Sequence, residues 1–486
     1  MKRSTLLVCG LTVTVAISMQ AQTARDVAPF VSVNAPILVL NHVKVIDGTG
    51  AEPKEDQAVV IAGGKITSIG PAASVQVPAV AQVVDRTGFT VIPGIVGMHD
   101  HLYYTDSITV QVSEHGELGE PGLLAAEIPY TAPRLYLAAG VTTMRTTGSV
   151  EPYTDLKLKE RIDSGLMPGP AMDASAPYLE GPHTRFAQMH ELTGPDDAKR
   201  LVDYWAGEGM TSFKAYMNIT RQELGAAIQE AHAHKMKLTG HLCSVTWPEA
   251  IALGIDDLEH GPVFSDTEFV ADKKVDLCPQ ASGRGNAWST IAVDSPQVKE
   301  LISKLVSHHV AVTSTLPVFE SGVPLRPRLQ ARVIQAMSAE SAQSYLSARA
   351  RIPASSRMGA LMRKEMDFEV AFVRAGGLLL AGPDPTGNGG VLPGFGDQRE
   401  VELLVEAGFT AVEAIHIATE NGAVYLGRQD RIGTLAPGMQ ADVVLIKGDP
   451  SKNIEDIENI ETVFKAGVGY DSEKLIESVR GQVGIR

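Results

Sequence analysis

VIPGIVGMHDH (Val91–His101) decides how the rest of the chain is read. Eight apolar, proline or glycine residues run directly into His99-Asp100-His101. Residues two apart share one face of a strand, so the two histidines are expected side by side at the tip of a buried strand. Alone, such a pair fits packed, hydrogen-bonded core histidines as well as it fits metal ligands. The other strand ends must decide between the two.

Seven further apolar runs follow, each with helix-like text after it: GVTTMRTTG, GPAMDASAPYLEGP, MTSFKAYM, MKLTGHLCS, IDDLEHGPV, VAVTSTLPV and GLLLAGPDPTG. Behind MTSFKAYM, Thr220 and Glu223 have the spacing of a helix capping box. Eight strand–helix repeats predict an α/β fold, a (β/α)8 TIM barrel over residues 91–427. A doubly wound open sheet is the structural rival. Short Val- and Ile-rich runs with turn glycines fill 36–90 and return over 428–486, predicting a small β-sandwich domain formed from both ends of the chain. Ser321 to Glu365 is surplus to the repeats and is expected over one end of the barrel, as a substrate lid or as surface helices.

The formal net charge of −15 argues against nucleic acid or an anionic membrane as partner. Lys2 and Arg3 precede an apolar run from Thr5 to Met19 and small residues through Ala21, so 1–21 reads as a signal peptide. That run is short of the ~20 residues of a spanning helix, and no later run is long enough. The expectation is an exported protein, periplasmic or secreted, with no stable membrane span once the signal is removed. Cys9 falls in the signal, leaving Cys243 and Cys278, too few for a disulfide framework. Whether those two pair is left open by the sequence.

The strand ends then supply the missing evidence. Lys214 closes the fourth run, His241 the fifth, His260 the sixth and Asp384 the eighth. In a barrel these positions share the C-terminal rim, where residues distant in sequence converge. Neutral imidazoles and a carboxylate suit a divalent metal such as zinc. Four histidines and one aspartate exceed what a single catalytic zinc uses, so a second ion is the simplest use of the surplus. A protonated Lys214 would repel a dication, whereas a neutral amine that captures carbon dioxide becomes an anionic carbamate able to bridge two ions. Burial lowers a lysine pKa and favours that chemistry.

On these residues and on GTLAPGMQADVVLI near the C-terminus, the chain resembles the amidohydrolase superfamily, most closely its imidazolonepropionase-related and prolidase-like branch with a divided β-sandwich. The resemblance implies His99, His101 and Asp384 on one ion, His241 and His260 on the other, and an N6-carboxylated Lys214 between them. It departs from the family at AGPDPTG, where Pro383 and Pro385 replace the more usual Gly-Thr-Asp or Gly-Ser-Asp setting and stiffen the loop around Asp384.

The implied reaction is hydrolysis of an amide in a small substrate, such as an Xaa-Pro dipeptide or an N-acyl amino acid, amide-linked aromatic toxins included. A hydroxide held between two ions attacks the carbonyl, and Asp384 carries its proton to the leaving nitrogen. For substrate contacts, His183 and Arg185 follow the third strand: Arg185 as a clamp for a carboxylate, His183 for the reacting carbonyl. Tyr103, Tyr104 and Tyr216 follow ligand positions as candidate pocket lining. His115, His190, His232, His234, His308 and His309 show no ligand pattern, although the loop of His115 is placed to reach the site. A lactonase or esterase is the nearest alternative. A mononuclear deaminase would have no use for Lys214, and a non-catalytic binding barrel would show eroded ligands. Relatives commonly assemble, so a homo-oligomer is expected.

Overall fold

The computed structural model describes residues 24–107, 123–184, 186, 188–279 and 287–485. The signal peptide expected at 1–21, His115 and Arg185 therefore lie outside the described residues.

The opening stretch is two strands rather than one. Phe89–Pro93 pairs antiparallel with Val443–Lys447 and parallel with Ile37–Val45. Ile95–Asp100 (β1) pairs parallel with Val141–Thr146 (β2) in a different sheet. The chain changes sheets at Gly94, where a Cβ would lie 2.0 Å from Thr142 Oγ1. Only a residue without a side chain lets the strands pass so closely.

Phe89–Pro93 belongs to a nine-stranded mixed sheet whose members come from both ends of the chain, between Val31 and Asp85 and between Val443 and Asp471. Its central segments, such as Leu38–Leu40, Ala58–Ile61 and Val443–Ile446, are buried on both faces, which is why they read as unbroken apolar runs and not as alternation. Leu38, Leu40, Val59 and Ile61 face one cluster, and Val39, Ala58 and Val60 the other.

The parallel strands fall into two hydrogen-bonded sheets. Ala171–Ala174 (β3), β2 and β1 form one, in that order. Ser212–Ala215 (β4), Lys237–Gly240 (β5), Asp257–Glu259 (β6), Ala311–Ser314 (β7) and Leu379–Ala381 (β8) form the other in sequence order. The two sheets meet on both sides. Thr211 N donates to Ala174 O at 2.8 Å and Ala176 N to Ser212 O at 2.9 Å, while Asp384 N donates to His99 O at 3.1 Å. Gly382 allows the last approach, since a Cβ there would lie 2.2 Å from the His99 nitrogen.

Helices cover the strands through ordinary amphipathic stripes. Pro296–Ser307 buries Val298, Leu301, Ile302 and Leu305 and is capped by Ser295. The capping box at Thr220 and Glu223 is formed in both directions, and Thr246–Glu249 and Thr410–Glu413 repeat it. Each such cap contributes about 1 kcal/mol. The surplus 321–365 segment carries helices Ala331–Ala336 and Ala339–Ala350, and the C-terminal tail straps it down: Ser338 N donates to Val483 O at 2.9 Å and Val483 N to Ala336 O at 3.0 Å. Cys243 and Cys278 are disulfide-bonded with Cα atoms 4.9 Å apart, joining the loop after β5 to the segment that follows β6. Among the described residues no helix is long and apolar enough to cross a membrane.

Behind β7 lie Glu365 and Glu369 of helix Met358–Arg374 and Glu400 of helix Phe395–Ala407, all fully buried. Burial pushes all three carboxyls up, Glu369 to about 8 against the pull of Ser314 and Arg363. The folded state therefore holds protons that the unfolded chain releases near pH 4.5, and the stability they contribute is lost as pH rises toward 8. Each extra bound proton gives a slope of roughly 1.4 kcal/mol per pH unit. Urea denaturation of Glu369→Gln across this window should show a flatter decline than the wild type. An unchanged slope would exclude Glu369 as its source.

Candidate metal centre

His99 is the penultimate residue of β1 and His101 lies just past its end, both buried. Their Nε2 atoms turn to the same carboxylate, with Asp384 Oδ1 3.0 Å from His101 and 3.6 Å from His99. The ligand-capable atoms of these three residues all lie within 4.8 Å of one another. Lys214 on β4 is buried with Nζ 3.2 Å from His99 Nε2. The His260 ring is 4.6 Å from that of His99 and 4.1 Å from that of His241. All six residues singled out at the strand ends thus meet in one place.

Backbone conformation contributes to this convergence. His260 has φ of 72° and Asp384 φ of 57°, in the left-handed region that residues other than glycine seldom occupy. Such positions cost of order 1–3 kcal/mol and collect at functional sites. His260 comes directly after Asp257–Glu259 and Asp384 three residues beyond Leu379–Ala381, and in both cases the turn redirects the side chain into the centre.

Titration behaviour matches the donor set. Burial, reinforced by Lys214, holds His99 well below the usual imidazole range; burial and His241 do the same for His260. Burial lowers the Lys214 amine to about 8 against the opposing pull of Glu259 and Asp384. For Asp384, burial alone would raise the carboxyl, but His99, His101 and Lys214 outweigh it and hold it below the ordinary range. Uncharged imidazole nitrogens and an ionised carboxylate suit divalent metal coordination, and the lowered lysine amine is easier to deprotonate for carbamate formation. The residues present fit a divalent metal.

A supporting layer fixes the ligands. Glu259 Oε2 lies 2.6 Å from His99 Nδ1, which leaves Nε2 for the centre. Thr315 Oγ1 lies 2.8 Å from His260 Nδ1. Glu259 is held in turn by Thr239 Oγ1 at 2.5 Å and by Arg145, whose Nη2 donates at 3.0 Å to Glu259 and 2.6 Å to Asp257. Sequence reasoning missed Arg145, Glu259 and Thr315. A signal for two of them was present: Asp257 and Glu259 alternate onto one face of β6, and Arg145 is the charged residue of GVTTMRTTG.

The proposed substrate contacts divide. Tyr103 stands 4.6 Å from the His101 ring and Tyr216 5.1 Å from the His241 ring, both beside the centre. Tyr178, which the sequence reading did not select, joins them: it hydrogen-bonds the Tyr103 hydroxyl, and Lys214 Nζ lies 5.6 Å from its ring centroid. Tyr104 turns to the opposite face, its hydroxyl 2.9 Å from Thr131 Oγ1. His183 is exposed with φ of 73°. His234, which shows no ligand pattern in the sequence, groups with Asp203 and Glu230 on the outside of the molecule.

Residues 90–469 match the profile of the amidohydrolase family. The chain is 24% identical over 421 residues to an imidazolonepropionase of Stenotrophomonas maltophilia (strain R551-3), covering 83% of this chain and 89% of the relative. A crystal structure of a Xaa-Pro dipeptidase with methionine bound in its active site superposes with a TM-score of 0.63 at 19% identity, over 90% of this chain and 100% of the other. Bottromycin amidohydrolase superposes with a TM-score of 0.67 at 20% identity, over 92% and 91%. At these identities the structural likeness is one of fold.

Replacing Glu259 with Gln removes the carboxylate charge that orients and polarises His99. Metal affinity should fall about 10–100-fold, read as metal retained after dialysis against a graded chelator. Retention equal to the wild type would show that His99 needs no such support.

Proposed function

The chain belongs to the amidohydrolase family, whose members are metal-dependent hydrolases acting on carbon–nitrogen bonds, and from that premise we propose a binuclear enzyme that cleaves an amide bond in a small substrate. Xaa-Pro dipeptides and N-acyl amino acids are the substrates to try first. The observation that carries the reading is the buried Lys214 amine, 3.2 Å from His99 Nε2 in a cluster of four histidines and an aspartate. A structural lysine would be paired with an acid, and a single-ion site has no need of one.

In this reading His99, His101 and Asp384 would hold one ion and His241 and His260 the other, and a carboxylated Lys214 would be available as a ligand to both. When bound, such ions, probed first as zinc, would supply an activated water and Lewis-acid polarisation of the scissile carbonyl. Glu259 and Thr315 fix the imidazoles so that nothing need reorganise during turnover. Asp384 Oδ1, shared between His99 and His101, is the base that receives the water's proton and delivers it to the departing nitrogen. Lys214 must first lose its ammonium proton; the amine nitrogen then bonds carbon dioxide and releases a second proton to form the carbamate. Arg185 and His183 remain the candidates for a substrate carboxylate and carbonyl, with Tyr103 and Tyr216 as walls.

The remaining proposals concern the whole chain. We infer that the two parallel sheets close as one (β/α)8 barrel that begins at Ile95, residues 91–93 of the expected 91–427 span lying in the other sheet. The nine-stranded sheet is the divided sandwich domain, extending the expected 36–90 and 428–486 pieces to Val31 and Pro93. The Lys2–Ala21 stretch and the Cys243–Cys278 disulfide together support an exported, periplasmic or secreted protein. A homo-oligomer is the assembly to test by light scattering.

The functional test compares zinc-loaded and chelator-treated protein on N-acyl amino acids and dipeptides, beside lactones and simple esters. Metal-dependent cleavage of the amides is expected, and Lys214→Ala should lose at least about 100-fold in kcat/KM together with bound metal. Full activity of Lys214→Ala with two ions bound would overturn the bridging role. Cleavage of esters or lactones alone would move the enzyme to the esterase reading.

A further inference from the structure

Two aromatic surfaces flank the His241–His260 side of the centre. Those imidazoles lie 4.1 Å apart. Beyond His241 stands Tyr216, edge-on at 5.1 Å, and beyond His260 stands Phe319, edge-on at 5.8 Å. Phe264 lies flat against Phe319, with centroids 3.6 Å apart and planes within 7°. Both phenylalanines are only half-buried, in contrast to the fully buried rings of Phe213, Phe368 and Phe372.

The stack is built on segments that already serve the centre. Phe264 sits in the short helix Pro262–Ser265, which begins directly after the turn at His260 and Gly261. Phe319 sits in helix Leu316–Glu320, which follows Thr315, the partner of His260 Nδ1. That helix is anchored from behind: Glu320 is fully buried and pairs with Arg399 at 2.7 Å and Arg326 at 2.6 Å. The ring wall is therefore held in place before any ligand arrives, so little ordering is required on binding. A half-exposed, anchored pair of rings beside polar ligands has two available roles. It braces His260, or it receives an apolar group of the substrate.

We propose that the Phe264–Phe319 stack is the substrate-selecting wall of this centre, taking a planar apolar group, above all a phenyl ring, carried next to the scissile amide. The proposal rests on the hydrolase reading of the site and narrows it to substrates with an aromatic side chain. Aromatic rings favour offset or edge contact with such a wall, and the polar histidine edges between Phe319 and Tyr216 leave the scissile group facing the ligands.

The test uses two probes without a cleavable bond, 2-benzylsuccinate and 2-methylsuccinate, titrated calorimetrically into zinc-loaded protein. The wild type should bind the benzyl compound at least about tenfold more tightly. In Phe319→Ala and in the bulk-preserving Phe319→Leu, the ratio should fall below about threefold with zinc content unchanged. Similar affinities in the wild type, no binding of either probe, or a ratio preserved in both variants would overturn the proposal. Loss of the ratio only together with zinc would also overturn it, by showing the stack to be a brace for His260. Failure of the hydrolase reading would appear separately, as no metal-dependent amide cleavage by the wild type whatever the binding ratio.

Discussion

The centre depends on one buried guanidinium. Arg145 projects from β2 into the interior, where Nε donates to Met98 O at 2.8 Å and Nη2 to Asp257, Glu259 and Thr313. These contacts tie β1, β6 and β7 to β2. Burial alone would lower its pKa, yet Asp257 and Glu259 outweigh that and keep it firmly cationic. The cation in turn allows Glu259 to be buried and aimed at His99. Removing one partner from such a buried ionic group costs on the order of 3–5 kcal/mol, because the remaining charges lose their compensation. The orientation of His99 thus depends on a salt-bridge network that reaches it through Glu259.

Outward from this network the clustered side chains become steadily less constrained by regular structure. His99 and Lys214 are strand residues with fixed directions, whereas His260 and Asp384 turn inward through left-handed backbone just past the strand ends. Pro383 and Pro385 fit that picture, since they restrict the loop around a strained aspartate whose amide is tied to His99 O. The 321–365 segment lies strapped by residues 481–485, and its Tyr345 packs against Gly390 in the loop beyond Asp384, where a Cβ would come within 2.6 Å of the ring. The last ligand loop is therefore buttressed from outside as well as from within.

Much of this was legible in the sequence for a definite reason. Strands ending in His, Lys or Asp are conspicuous because these residues are costly to bury, and six at equivalent positions leave few explanations. The capping box at Thr220 was readable because it is a local contact. What escaped were features set by partners distant in sequence. The break at Gly94 depends on Thr142, and the value of Glu259 depends on His99 and Arg145. Tyr178 needs the room made by Gly148, where a Cβ would lie 2.4 Å from its ring. Tyr104 and Tyr103, adjacent in sequence, could not be told apart until the strand Tyr103–Ser107 fixed which side faces His101.

The central claim is that two ions share this centre across a carboxylated Lys214. The most direct measurement is a crystal structure of zinc- and bicarbonate-treated protein with anomalous data collected at the zinc edge. The account predicts two anomalous peaks roughly 3.5–4 Å apart, one beside His99, His101 and Asp384 and one beside His241 and His260, with extra density on Lys214 Nζ reaching both. A single peak with an unmodified Lys214 would contradict it.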